Sequence, residues 1–384
     1  MKRICVITGT RADYGLLHWV MEGIRDSQHL ELQVVATGMH LSPEFGLTYL
    51  EIEKDGFQIN RKLEMLLSSD TPAGITKSMG LGMIGFADVL TELKPDILLV
   101  LGDRYETLVA ATAAMVALIP IAHISGGEST EGAFDEAIRH SITKMAWWHF
   151  VASDAYAKRV IQLGENPKYV FNVGGLGVDN IKKTKLLTKI ELIGESGIKF
   201  GKKNLLVTFH PVTLEKQTSQ KHFHILLNVL DKFKEIYLIF TMPNADSDAR
   251  IIKQMIGIFL ERNKERSIAF TSMGYKNYLS TLQFVDGVVG NSSSGLGEAP
   301  TFQIGTINIG DRQKGRIKAK SVIDCNPTAE SISRAIKKLY SEDFQAGLKT
   351  VTNPYGEGGA SRKIIEVLQD TIIPEETKKI FYDL

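Results

Sequence analysis

Carboxylates that directly follow apolar runs are the first candidates for chemistry in this sequence. Asp103 follows the run Asp96–Leu101, in Leu101-Gly102-Asp103-Arg104-Tyr105-Glu106. A carboxylate beside Arg104 suits acid/base work. Aspartate is also among the best helix N-caps, and position alone leaves both uses open. A longer cluster, HISGGESTEGAFDEAIRH, runs from His123 to His140. It brings Glu128, Glu131, Asp135 and Glu136 together with two histidines. Asp135 and Arg139 stand at i, i+4 and so share one helix face. The glycines and the apolar Ala133, Phe134 and Ile138 point to a tucked loop rather than a solvated one. The spacing matches no zinc-site pattern.

Further polar groups follow other apolar runs. Thr8-Gly9-Thr10-Arg11-Ala12-Asp13-Tyr14-Gly15 is a glycine turn into a helix start. Free N–H groups there, with Arg11, suit a phosphate or carboxylate; a plain turn capped by Asp13 fits as well. In the second half His210 closes the run Leu205–Phe209, where it can change charge near neutrality or serve structure. Gly290-Asn291-Ser292-Ser293-Ser294-Gly295-Leu296-Gly297-Glu298 also follows an apolar run. Its serines and N–H groups form an anion nest, with more hydroxyls than a cap needs. Glu298, one turn on, can accept from ribose hydroxyls. Arg312 follows the next run and serves either a nucleotide or its own loop.

These groups need strands to carry them. Short apolar runs at Ile4–Thr8, Leu32–Thr37, Asp96–Leu101, Ile119–Ile124, Phe150–Ala152 and Val170–Val173 alternate with helical spacing. The pattern pauses at FNVGGLGVDN. It restarts at Leu205–Phe209, Tyr237–Thr241, Ile268–Thr271, Gly287–Gly290, Thr306–Ile309 and Ser321–Asp324. Such alternation predicts parallel sheets covered on both faces. A chain of 384 residues exceeds one ordinary core. The reading is therefore α/β, with two doubly wound Rossmann-like domains facing a cleft. The first spans 1–175 and the second 176–360. The segment 361–384 is a last helix and tail that belongs to either domain, packing back on the first being one arrangement. Ligands of such sheets bind beyond the carboxyl ends of the strands.

A net charge of +1 argues against broad nucleic-acid or anionic-membrane binding. The longest mostly apolar stretch, Ala110–Ile124, is broken by Thr112, Pro120 and His123 and is too short for a bilayer. Two cysteines, Cys5 and Cys325, exclude a disulfide framework and point to a reducing, cytoplasmic setting.

Together GTRADYG, GDRYE, HISGGE with DEAIRH, HPVT and GNSSSG with its glutamate resemble the hydrolysing UDP-sugar 2-epimerases. The resemblance keeps motif order over nearly the whole chain. It implies the GT-B type of fold, a UDP-sugar substrate, no cofactor and no metal, and a homo-oligomer (dimer or tetramer). In that chemistry a base removes the C2 proton while UDP leaves C1, and water adds to the glycal. By motif match Asp103 and Asp135 are the acid/base carboxylates, and His210 acts near the leaving group. Arg11, Asn291, Ser292, Ser293, Gly295, Glu298 and Arg312 hold UDP. Ser125, Glu128, Arg139 and His40 face the sugar.

One departure stands out. Sialic-acid members of the family carry a catalytic glutamate where this chain has Ser125, and this chain has an extra loop residue, Glu131. STEGAFDEAIRH, GMHLSPEFGLTY, EMLLSSDT, IFTMPNAD and GDRQKGRI resemble the branch that acts on UDP-N,N'-diacetylbacillosamine in legionaminic acid synthesis. A smaller residue at 125 makes room for the 4-acetamido group of that sugar. Glu131 then either supplies the missing carboxylate or is a solvated loop charge. The other readings are the UDP-N-acetylglucosamine enzyme of sialic acid synthesis, a glycosyltransferase on the same fold, a non-hydrolysing epimerase that keeps UDP attached, and a silent UDP-sugar sensor.

Overall fold

Runs of β-branched and leucine residues, buried on both faces, form two parallel sheets in the computed structural model. The structure describes all residues except 68, 70, 132, 213–217 and 244–248. Gly132 of the acidic loop, Thr213 of HPVT, Ser68 and Asp70 of EMLLSSDT and residues 244–246 of IFTMPNAD therefore lie outside the described residues.

The first sheet comprises β1 (Lys2–Thr8), β2 (Leu30–Thr37), β3 (Arg61–Leu63), β4 (Ile97–Leu101), β5 (Ile121–Ile124), β6 (Trp148–Val151) and β7 (Val170–Asn172). Its order is β3-β2-β1-β4-β5-β6-β7, with every pairing parallel. The second comprises β8 (Lys203–Thr208), β9 (Ile236–Thr241), β10 (Ser267–Phe270), β11 (Gly287–Gly290), β12 (Gly305–Ile309) and β13 (Val322–Cys325). Its order, β10-β9-β8-β11-β12-β13, repeats the doubly wound scheme of the first. In both sheets the order reverses beside the first strand. There the connections leave in opposite directions and open a crevice at the strand ends. That places Gly9–Asp13 and Asp103 at one switch point, β1/β4. It places His210 and Asn291 at the other, β8/β11.

The units divide differently from the expected 175/176 boundary. One holds Met1–Glu128, Asp135–Lys183 and Tyr355–Leu384; the other holds Ser129–Phe134 and Thr184–Pro354. The helix Leu176–Lys183 stays with the first unit for a polar reason. Its Asp179 carboxylate accepts from the Gly359 and Ser361 N–H groups at 2.6 and 2.8 Å. It thereby caps the helix Ala360–Asp370 of the returning chain. The glycine-rich stretch is a seat for that return: Gly175 N–H donates to the Tyr355 carbonyl at 2.8 Å. A Cβ on Gly175 would lie 2.9 Å from that of Tyr355. Beyond the helix, Lys379 donates to the Lys144 and Ala146 carbonyls at 2.8 and 2.5 Å. It also pairs with buried Glu165, whose carboxyl the surrounding hydrogen bonds from His149, Lys144 and Lys379 hold at about 2 against the opposing pull of burial. The tail thus caps the helix Asp135–Met145. Among the described residues no helix is long and apolar enough to cross a membrane.

Three histidines of the first sheet's core are fully buried: His40, His123 and His149. Burial lowers the pKa of each. His123 falls to about 3. Its Nε2 lies 2.8 Å from the Gly102 carbonyl and its Nδ1 3.2 Å from the Thr143 hydroxyl. A carbonyl only accepts, so Nε2 carries the proton and Nδ1 accepts from Thr143, which is the neutral ring.

Two outcomes follow from this packing. Gly290 has φ +138°, and a Cβ there would overlap the Thr208 carbonyl across the β8/β11 pair. Gly290→Ala should cost at least ~2 kcal/mol in urea unfolding, from backbone strain and overpacking combined. For His123 the folded pKa is depressed, so the unfolded chain binds the extra proton. Stability is complete above the unfolded value of about 6.5 and falls as pH drops toward 3, by up to ~1.4 kcal/mol per pH unit. His123→Gln removes that slope, so the stability gap to wild type should narrow between pH 7 and 5. A gap that stays constant over that window contradicts the assignment.

Candidate active site

The β1 turn is closed by its own carboxylate. Asp13 Oδ2 accepts from Gly9 N–H at 2.9 Å, and Oδ1 accepts from Thr10 N–H at 2.8 Å and the Thr8 hydroxyl at 2.9 Å. With Thr10 it forms a capping box on the helix Arg11–Arg25. The N–H groups expected to meet a phosphate therefore meet Asp13. Arg11, at the first helical position, is half-buried. His40, expected near the sugar, is completely buried, with Nε2 2.9 Å from the Thr8 hydroxyl and Nδ1 2.8 Å from that of Thr48. Both contacts steady the β1 turn.

Beyond β4, Gly102 turns with φ +77° and delivers Asp103. The Asp103 carboxylate pairs with the Arg139 guanidinium. Arg139 is fully buried and also donates to the Glu128 carbonyl and to Glu136, each at 3.0 Å. Arg139, expected to face the sugar, thereby braces the carboxylates on either side of it. Glu136 in turn lies 3.1 Å from His140 Nε2. Asp135 opens the same helix and is half-buried. Ser125 holds φ +66°, a left-handed conformation unusual for serine. Gly126 packs on His123 and Thr143, and Gly127 (φ +75°) passes so close to the Tyr156 carbonyl that no side chain fits. Glu128 is buried.

The sequence reading named Glu106 and Glu136 but gave neither a role. Glu106 is fully buried beneath Gly9 and Gly38. Burial raises its pKa, and Arg104, 3.2 Å away, opposes the rise. The side-chain-free faces of two glycines were the available signal. Glu136 was visible as the residue three before Arg139.

In the second unit, His210 is held through its backbone. Asn291 Oδ1 accepts from His210 N–H at 2.7 Å, and Asn291 Nδ2 donates to the His210 carbonyl at 2.8 Å. The Asn291 carbonyl accepts from Arg312 Nη1 at 3.1 Å and from Gln313 Nε2 at 2.8 Å. Asn291 thus ties the His210 backbone to the loop that carries Arg312 and Gln313. Ser293 is exposed and Ser292 half-exposed, with the Ser292 hydroxyl oxygen accepting from Ser294 N–H at 3.4 Å. The helix they were expected to open is a single turn, Ser294–Gly297, followed by a 3-10 turn containing Pro300. A macrodipole contributes little over one turn. Gly295 packs on Thr306, whose hydroxyl donates to its carbonyl at 2.6 Å. Glu298 follows, half-buried. Glu131 is half-exposed and pairs with Lys314 at 3.1 Å.

A family model described as UDP-N-acetylglucosamine 2-epimerase matches residues 22–369. A Campylobacter jejuni protein named GDP/UDP-N,N'-diacetylbacillosamine 2-epimerase (hydrolyzing) is 41% identical, covering 100% of this chain and 99% of that protein. The Escherichia coli polysialic acid biosynthesis protein P7 is 37% identical, covering 100% and 98%. Among solved structures, the Neisseria meningitidis UDP-GlcNAc 2-epimerase bound to UDP-GlcNAc has a TM-score of 0.81 at 19% identity, covering 97% of this chain and all of that one. That last likeness speaks to the fold: two doubly wound domains. The chain belongs to the UDP-N-acetylglucosamine 2-epimerase family.

Proposed function

We propose that this protein is a hydrolysing 2-epimerase of UDP-N,N'-diacetylbacillosamine, yielding UDP and 2,4-diacetamido-2,4,6-trideoxymannose for legionaminic acid, a sugar of bacterial surface polysaccharide. The observation that carries this reading is Asp103 beside a fully buried arginine. The guanidinium holds that carboxylate at the β1/β4 switch point, where the ligands of such sheets bind and a proton acceptor is needed.

The chemistry balances in two steps. The base takes the C2 proton as the C1–O bond breaks; the C1=C2 bond forms and UDP leaves with the electron pair. Water then gives its hydroxyl to C1, and a proton returns to C2 on the opposite face. Asp103 and Asp135 serve as the proton-transfer pair, and Glu131 supplies the carboxylate absent at Ser125. In the second unit His210, Ser292, Ser293 and Glu298 serve the nucleotide, and in the first unit Arg11 serves a phosphate. The 41% identity to a diacetylbacillosamine epimerase supports this substrate. The 37% identity to a polysialic acid protein supports the second reading, UDP-N-acetylglucosamine giving N-acetylmannosamine. Both cysteines are free, as suits a cytoplasmic enzyme.

The enzyme works as a homo-oligomer in this proposal. The helices Pro72–Leu93 and Tyr105–Val116, packed side by side, expose Leu81, Met83, Ile84, Met115 and Val116, with Leu118 just beyond. Ile84 is 69% and Val116 74% exposed, more apolar surface than an isolated subunit usually shows.

Two measurements check these statements. In heavy water with no acceptor, the protein should release UDP from UDP-N,N'-diacetylbacillosamine and leave deuterium at C2. The kcat/KM should exceed that for UDP-N-acetylglucosamine, and Asp103→Asn should lower kcat at least ~100-fold. A clear preference for UDP-N-acetylglucosamine selects the second reading. Light scattering should give a multiple of the chain mass for wild type and a smaller species for Ile84→Glu. A wild-type monomer ends the oligomer proposal.

A further inference from the structure

Within the second unit the loop after β12 joins two groups of residues named above. At one end, Arg312 and Gln313 bind the Asn291 carbonyl, and Asn291 holds the backbone of His210 on both sides. At the other end, Arg316 Nε donates to the Ser129 carbonyl at 3.2 Å and Nη2 to the Thr130 hydroxyl at 3.4 Å. Between them the loop is pinned to itself, with Lys314 N–H on the Asp311 carbonyl at 2.8 Å and Arg316 N–H on that of Gln313 at 3.3 Å.

The middle residue is constrained by the loop it faces. Gly315 has φ +83°, and a Cβ there would lie 2.6 Å from Ser129 Oγ and 3.1 Å from Glu131 Oε1. Ser129 and Thr130 are buried, whereas Lys314 and Glu131 are 64% and 49% exposed in their side chains. An exposed ion pair contributes little. The grip therefore comes from Arg316 on buried polar groups and from the close approach of Gly315, not from Lys314.

We propose that Arg316 and Gly315 are positioning residues that fix the segment Ser129–Glu131, and hence the Glu131 carboxylate, relative to His210 and Asn291. The proposal rests on the functional reading above for the role of Glu131, but the grip itself does not. A loop that turns through Asn291 at one end and Ser129 at the other passes any shift of the nucleotide-side residues to the carboxylate.

The test uses the full-length protein as wild type, Arg316→Ala, Arg316→Lys, Gly315→Ala and Glu131→Gln. It reads amide hydrogen exchange over 129–134, UDP affinity by calorimetry, and kcat and KM on UDP-N,N'-diacetylbacillosamine. Arg316→Ala and Gly315→Ala should each speed exchange of that segment roughly tenfold or more. Each should lower kcat by at least about tenfold, with UDP affinity within about twofold of wild type, because a misplaced group costs rate rather than nucleotide binding. Arg316→Lys should recover part of the kcat, and Glu131→Gln should lower kcat without changing exchange. Unchanged exchange in both Arg316→Ala and Gly315→Ala overturns the proposal. So does normal kcat despite faster exchange, or a parallel loss of UDP affinity and kcat. If wild type releases no UDP from either sugar nucleotide, the functional reading fails, while the exchange rates still decide whether the grip exists.

Discussion

A guanidinium with no exposure to water is the constraint around which the first unit is built. Moving such an ion out of water costs several kcal/mol, and only close, well-formed partners offset it. Arg139 has the Asp103 carboxylate, the Glu136 carboxylate and the Glu128 carbonyl. Removing one partner from a buried pair typically costs about 3–5 kcal/mol, so these groups are not independently adjustable. The Gly102 turn must bring Asp103 to one side of the guanidinium, and the helix Asp135–Met145 must bring Glu136 to another. His123, neutral and bonded to both the Gly102 carbonyl and Thr143, ties that turn to that helix. Gly126 lacks a side chain where His123 and Thr143 need the room. At the far end of the helix, Lys379 caps the last carbonyls.

Much of this scaffold was legible in the sequence, for a simple reason. Strands of a parallel sheet covered on both faces are continuous apolar runs, and β11, Gly287–Gly290, was readable to the residue. β3 was not, because Arg61–Leu63 is an edge strand with no apolar run to mark it. The glycine-rich pause at FNVGGLGVDN has two readings, because glycine serves both a hinge and a close approach. Here the glycines admit Tyr355, a residue far away in sequence. The proximity of residues near 175 and 355 leaves no trace in local pattern.

The candidate site shows the same limit at the level of single side chains. Residue type and place after a strand picked out Asp103, His210, Ser292 and Ser293. They did not tell a ligand from a brace. Arg139, His40 and Asn291 carry chemically suitable groups, and each also makes bonds inside the protein. Helical period puts residue 139 on a buried-facing side, but it does not say that the β4 turn lies there. Glu106 escaped because a glutamate in a helix's first turn is ordinarily solvated. It is buried here because Gly9 and Gly38 let the backbone close over it.

The second switch point solves its positioning with backbone-like bonds instead of charge. β8 and β11 pair as far as Thr208 and Gly290, and Asn291 N–H continues the ladder to the Thr208 carbonyl at 3.2 Å. The Asn291 side chain then donates to and accepts from His210 as a strand neighbour would, extending the ladder one residue beyond its backbone partners. An amide is suited to this because it carries a donor and an acceptor on one rigid group, whereas aspartate would present only acceptors to the His210 carbonyl. His210 is thereby fixed at its Cα, with the imidazole left to its own surroundings. In the function proposed above, a backbone held this firmly keeps His210 in place on the nucleotide side.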